Sequence, residues 1–162
     1  MKEMTFLIKE LDGNCNFTDL LNLSKDFFYE YENNDKEFFK IDSINEMDIK
    51  NYFQRFISNE NNMAYVVMYE EKIIGYITLV INNQPDFWKI KKVGSISGLM
   101  VDKNFRKNGI GTKLVKTGIE YFKQKNIKYY TVFTSVNNIN GILMYKKCGF
   151  EELQTILYGK IE

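Results

Sequence analysis

Residues 93–122, VGSISGLMVDKNFRKNGIGTKLVKTGIEYF, decide the reading of this chain. They open with an apolar run, Ile96 to Val101, of strand length and composition. A polar turn, Asp102 to Phe105, leads into Arg106-Lys107-Asn108-Gly109-Ile110-Gly111. From there Ile110, Leu114, Gly118, Tyr121 and Phe122 recur at spacings of three and four, the period of one helix face. A strand, a glycine loop and a helix together aim unpaired backbone amides at one point. The first amides of a helix lack internal acceptors, and its dipole adds partial positive charge there. Gly109 and Gly111 let the backbone approach a bulky anion, and Arg106, Lys107 and Lys113 supply cations. The stretch reads as a cradle for a pyrophosphate.

Two familiar cradles are excluded by spacing. A dinucleotide fingerprint needs a third glycine at position 114, which is Leu, and no Gly-Lys-Ser/Thr string occurs. The string present is Arg-x-x-Gly-x-Gly: Arg106, Gly109, Gly111. A second stretch, NINGILMYKKCGF at 138–150, carries Asn138, Met144, Tyr145, Gly149 and Phe150 at fixed offsets, with Gly141 between them. The two strings, in this order, resemble the signatures of the GCN5-related N-acetyltransferase (GNAT) superfamily, with Met144 and Gly141 departing from its usual Leu and Ala. The resemblance covers about residues 60–155 well and the N-terminal third by layout only.

That resemblance implies an α/β (α+β) fold in one domain spanning 1–162. It would be a central, mostly antiparallel twisted sheet flanked by helices, with a splayed pair of strands holding acetyl-coenzyme A. It implies acetyl transfer from acetyl-coenzyme A, with no metal, to a primary amine of a small molecule or a peptide N-terminus. Leu99, Met100 and Val101 match the strand whose backbone receives the pantetheine arm. Arg106, Lys107, Asn108, Gly109, Ile110, Gly111 and Thr112 match the pyrophosphate loop. Asn138 matches a residue that bonds the cofactor arm, and its bland role is a helix N-cap. Tyr145 matches the phenol that protonates the departing thiolate, for which a neutral donor of reference pKa about 10 is suited. Gly98 marks a candidate bulge in the strand.

The base is not assigned. Positions 94–100 hold no carboxylate where many family members have one. Ser95 or Ser97 ordering a water, Glu30 or Glu32 reaching the cleft, and proton loss to solvent all stay open. The alternative function is a catalytically degraded GNAT-fold protein that binds acyl-coenzyme A or a partner.

Composition sets the bounds. The 162 residues are 44% hydrophobic with one proline, enough for one packed core. No apolar run reaches the ~18 residues of a membrane span, and the charged N-terminus is unlike a signal peptide. Two distant cysteines, Cys15 and Cys148, suit reduced thiols and a cytoplasmic setting, and without histidine a zinc site is disfavoured. Net charge is +1, but it is divided. Residues 19–48 carry nine acids against three lysines, and residues 89–128 eleven bases against two acids. The basic segment suits coenzyme A phosphates, so nucleic acid ranks last as a partner. The acidic one suits a cationic amine or is simply a solvated face. A homodimer through a sheet edge is compatible with the family resemblance.

In chain order, 4–11 reads as a strand and 17–32 as a helix. Ser43 and Glu46 match a capping box opening a second helix with Ile49, Phe53, Phe56 and Ile57 inward. Residues 63–69 and 73–81 read as a hairpin, and 89–101 as a third strand. Strands at 128–136 and 152–161 flank a short helix at 139–147. Phe27, Tyr31, Phe38, Phe39 and Trp88 either line an acceptor pocket or fill the core, and most are read as core.

Overall fold

A computed structural model describes residues 5–57 and 59–161. Met4, which opens the first expected strand, lies outside them. Strand β1 (Leu7–Glu10) precedes helices α1 (Phe17–Asn34) and α2 (Glu46–Gln54). Strands β2 (Asn62–Tyr69), β3 (Lys72–Asn83) and β4 (Lys92–Val101) follow as a meander. Helix α3 (Ile110–Gln124), strand β5 (Tyr130–Val132) and helix α4 (Ile139–Lys147) complete the elements. The sheet runs β1-β2-β3-β4-β5, antiparallel throughout except for the parallel β4–β5 pair. The parallel pair is what the α3 crossover requires.

The sheet separates two cores. On one face α1 and α2 set Leu20, Leu23, Ile49 and Phe53 against Val66 and Tyr76. On the other, α3 sets Ile110, Leu114, Val115 and Phe122 against Val67, Ile77 and Leu79. The α3 residues are those its helical period assigns to one face. Covered on both sides, β3 is buried without alternation from Ile73 to Leu79. Gly94 on β4 shows how tight the second core is. A Cβ there would lie 2.6–2.8 Å from three atoms of the Phe122 ring, and Phe122 is fully buried. Gly94→Ala is expected to destabilise the fold by about 1–3 kcal/mol, read as a lowered urea midpoint with unchanged slope.

Four expectations change. Helix α2 is capped by Asn45, whose Oδ1 accepts from the Met47 amide at 2.9 Å, not by Ser43. Asn caps as well as Ser does, so the helix starts later, and Glu46 becomes a first-turn residue that pairs with Lys25 at 2.9 Å. Strand β5 keeps three residues of the expected nine because the chain beyond Val132 turns on its own side chains. Asn138 N–H donates to the Ser135 carbonyl at 3.0 Å, and Asn137 N–H to Ser135 Oγ at 3.2 Å. Residues 151–161 form no strand, although LQTILYGKI has strand composition, because so short a β5 offers no ladder to extend. Tyr158 instead packs on Phe38, and Lys160 pairs with Glu37. Finally, Phe38, Phe39 and Trp88 are exposed and Phe27 and Tyr31 half-buried, so none of the five belongs to the deep core.

Candidate active site

β4 and β5 share only Gly94–Ile96 with Tyr130–Val132. Beyond Ile96, β4 continues to Val101 while the chain after β5 departs, so the two strands splay. The splay is reinforced by a bulge. Thr78 faces Gly98 and Leu79 faces Ile96, leaving Ser97 as the extra residue of β4 beside the glycine that marked the candidate bulge. Leu99, Met100 and Val101 therefore line an open slot on their β5 side.

The glycine loop sits at the end of that slot. Lys107 (φ 65°) and Gly109 (φ 74°) both take left-handed backbone, a shape that turns successive amides toward one concave side. Asn108 locks the loop by donating its Nδ2 to the carbonyls of Phe105 (3.1 Å) and Arg106 (3.3 Å). Gly109 caps α3 with no side chain, and the Lys113 amide is the first to find its carbonyl, at 3.0 Å. Among the described residues, no backbone carbonyl accepts from the amides of 107–112. A Cβ at Gly109 would meet nothing within 4 Å, whereas one at Gly111 would meet Met144 Sδ at 2.8 Å. The two glycines thus differ in task. Gly109 keeps the mouth of the loop clear, and Gly111 lets α4 close on α3.

Arg106 is turned away from this mouth. Its Nε–H donates to the Val101 carbonyl at 2.9 Å, and its NH2 group pairs with Glu30 at 2.7 Å. The arginine of the string ties the loop to α1 and leaves Lys107 and Lys113 as the exposed cations at the amides. Asn137, not singled out in the sequence, makes a second tie, donating its Nδ2 to the Asn34 carbonyl at 2.7 Å. α1 thereby roofs a cavity of about 540 Å³ lined by Tyr31, Leu99, Met100, Arg106 and Asn138.

Asn138 caps α4, its Oδ1 accepting from the Gly141 amide at 3.2 Å and its Nδ2 donating to Thr134 Oγ1 at 2.9 Å. This side chain explains Gly141, since a Cβ there would lie 2.4 Å from Asn138 Nδ2. About two helical turns after Asn138, Tyr145 is buried against Phe150. Burial foremost, then the neighbouring Tyr31 and Cys148, raises its phenol above the ordinary tyrosine value. It therefore stays protonated at neutral pH.

A larger cavity of about 690 Å³ lies on the other side of the bulge, between α1, α2 and Ser97–Gly98. Phe27 borders both cavities, and β4 passes from one (Ser97, Gly98) into the other (Leu99, Met100). Of the candidate bases, Glu30 is held by Arg106, and Glu32 accepts from the Ile41 amide at 3.2 Å. Ser95 lies back in the ladder opposite Thr131, while Ser97 faces the larger cavity.

This arrangement of elements is shared with known proteins. Residues 18–150 match the model of the Acetyltransferase (GNAT) family. The chain belongs to that family. A relative described as an uncharacterized N-acetyltransferase of Methanocaldococcus jannaschii is 30% identical over 105 residues, 65% of this GNAT chain and 46% of the relative. The chain thus spans about half the length of that curated relative. A mutant of the BH1408 protein from Bacillus halodurans superposes with TM-score 0.83 at 19% identity, covering 96% of this chain and 99% of the other. Aminoglycoside N-acetyltransferase AAC(6')-Iy, solved in complex with CoA, superposes with TM-score 0.78 at 14% identity over 99% and 97% of the two chains. At these identities the structures establish a shared GNAT fold. Among the described residues, no helix is long and apolar enough to cross a membrane.

Proposed function

We propose that this chain transfers the acetyl group of acetyl-coenzyme A to a primary amine of a small molecule or a peptide N-terminus. The observation that supports the reading is the β4–β5 slot with unpaired amides at its end, and Tyr145 is a buried phenol next to Tyr31, which lines the cavity of that slot. The residues fit the cofactor. The amides of 109–112, with Lys107 and Lys113, would hold its pyrophosphate, and the backbone of Leu99–Val101 its peptide-like arm.

Acetyl-coenzyme A supplies the activated acyl carbon as a thioester. The chain's part is positional and protonic. The slot would bring the thioester end toward the bulge, where β4 passes from one cavity to the other. As the C–N bond forms and the C–S bond breaks, Tyr145 gives its phenolic proton to the sulfur and regains one from solvent. The amine's surplus proton leaves to water through the open larger cavity, while Glu30 pairs with Arg106 and Glu32 accepts from the Ile41 amide.

The test is thiol release from acetyl-coenzyme A, followed with a thiol reagent while primary amines are added. Release that depends on both the amine and the enzyme, with acetylated amine as co-product, is expected. Saturable cofactor binding with no amine-dependent release across small amines and N-terminal peptides would leave a binding protein instead.

A further inference from the structure

The bulge gathers three hydroxyls that come from three different elements. Tyr52 Oη of α2 lies 2.7 Å from Thr78 Oγ1 of β3 and 3.1 Å from Ser97 Oγ of β4. Ser97 Oγ lies 3.0 Å from Thr78 Oγ1, which closes the triangle. Thr78 is fully buried, whereas Tyr52 and Ser97 line the larger cavity. Gly98 is what lets the triangle form. A Cβ there would stand 2.9 Å from Thr78 Oγ1 and 3.3 Å from Tyr52 Oη.

Each hydroxyl has one proton and two acceptor lone pairs. The three protons find acceptors within the cluster or on the Gly98 and Thr78 carbonyls, each 3.4 Å away, which leaves acceptor capacity on Tyr52 and Ser97, the two that line the cavity. Such a cluster receives an N–H donor. Being neutral, it does not hold that donor as a salt, which suits a nitrogen that must attack uncharged. The wall beside it is apolar, formed by Phe27, Phe28, Ile44, Ile49 and Tyr76. Asp42 and Asp48 also line the cavity and are exposed, and so does Arg55, whose guanidinium stacks on the Tyr52 ring at 5.1 Å. The cavity therefore offers acids to draw a cationic amine in, an apolar wall for its body and neutral oxygens for its nitrogen. The triangle also stands where β4 crosses from the larger cavity into the slot.

We infer that Tyr52 and Ser97, backed by Thr78, receive the amino nitrogen of an acceptor whose apolar body fills the larger cavity. The acceptor is thus a primary amine on an alkyl or aryl frame. This rests on the acetyl-transfer reading above. Tyr52 and Ser97 are positioning residues for the acceptor, separate from the groups that hold the cofactor.

Wild type, Tyr52→Phe and Ser97→Ala are titrated calorimetrically with acetyl-coenzyme A. Thiol release is then measured with phenethylamine, hexylamine and, as a polar comparison, spermidine. Tyr52→Phe keeps the ring that packs on Phe53 and Phe56, and Ser97 lies on the cavity surface, so both variants retain the fold. Both should bind acetyl-coenzyme A within twofold of wild type and keep its apparent KM. Their kcat/KM for phenethylamine should fall about tenfold, mostly through a raised amine KM, the loss of one hydrogen bond to the acceptor. Ser97→Thr, which keeps a hydroxyl, should recover most of that loss. Wild type should favour the two apolar amines over spermidine by tenfold or more. Unchanged amine kinetics in both variants, a preference for spermidine, or turnover of none of the amines by a protein that binds acetyl-coenzyme A would overturn the inference and leave the transfer reading standing. Failure of wild type to bind acetyl-coenzyme A would overturn both.

Discussion

Tyr145→Phe is expected to lower kcat by about a hundredfold while leaving the dissociation constant for acetyl-coenzyme A within twofold of wild type. The variant keeps the ring against Phe150 and removes only the oxygen, so packing and binding are preserved while the proton donor is lost. The pH profile adds a second signature. Burial and the neighbouring Tyr31 and Cys148 hold the phenol above its ordinary value, so its ionisation sets no alkaline fall in wild-type kcat below about pH 10. Stopped-flow thiol release under saturating substrates, from pH 7 to 10, reads both effects. An unchanged rate in the variant would remove Tyr145 from the chemistry and return it to a packing role.

Gly109→Asp should abolish acetyl-coenzyme A binding, weakening it a hundredfold or more, with little change in thermal midpoint. Nothing lies within 4 Å of a Cβ at this position, and Asp tolerates left-handed backbone better than most residues. The new carboxylate can cap the free amides of α3 itself and then repels the phosphates those amides would hold. Stability and binding should therefore separate. Gly109→Ala is the control: it carries the backbone strain, of order 1 kcal/mol, without the charge, and should bind with a much smaller loss. Equal losses in the two variants would mean that strain, not occupation of the amides, explains the effect. Gly111 is the wrong residue for this test, because a side chain there pushes first on Met144 and disturbs the α3–α4 contact.

The parts of the fold that could be read from sequence are those whose determinants are local. The α3 face declared itself through Ile110, Leu114, Gly118, Tyr121 and Phe122, all of which are buried. The glycine loop declared itself through the spacing of Gly109 and Gly111. The meander followed from the strand-rich arms on either side of Glu70–Lys72, of which the structure takes Lys72 into β3 and leaves Glu70–Glu71 as the turn. The α2 cap reads at Ser43 from its capping-box spacing to Glu46, whereas Asn45, an equally good cap, starts the helix two residues later. The tail at 151–161 has the residues of a strand, but a strand is a property of a pair, and its neighbour stops at Val132. The direction of Arg106 was hidden for the same reason. Its partner Glu30 is 76 residues away, and only the placement of α1 over the slot brings them to 2.7 Å. The hydroxyl triangle is the extreme case, since Tyr52, Thr78 and Ser97 belong to no shared motif and meet only because a bulge turns Ser97 toward α2.

Calorimetric titration of the purified chain with acetyl-coenzyme A is the most direct test that the β4–β5 slot and the α3 amides form a cofactor site. Saturable one-to-one binding at micromolar concentration, weakened when the salt concentration is raised because phosphates meet Lys107, Lys113 and the helix dipole, is the expected result. No heat of binding at millimolar ligand would contradict it.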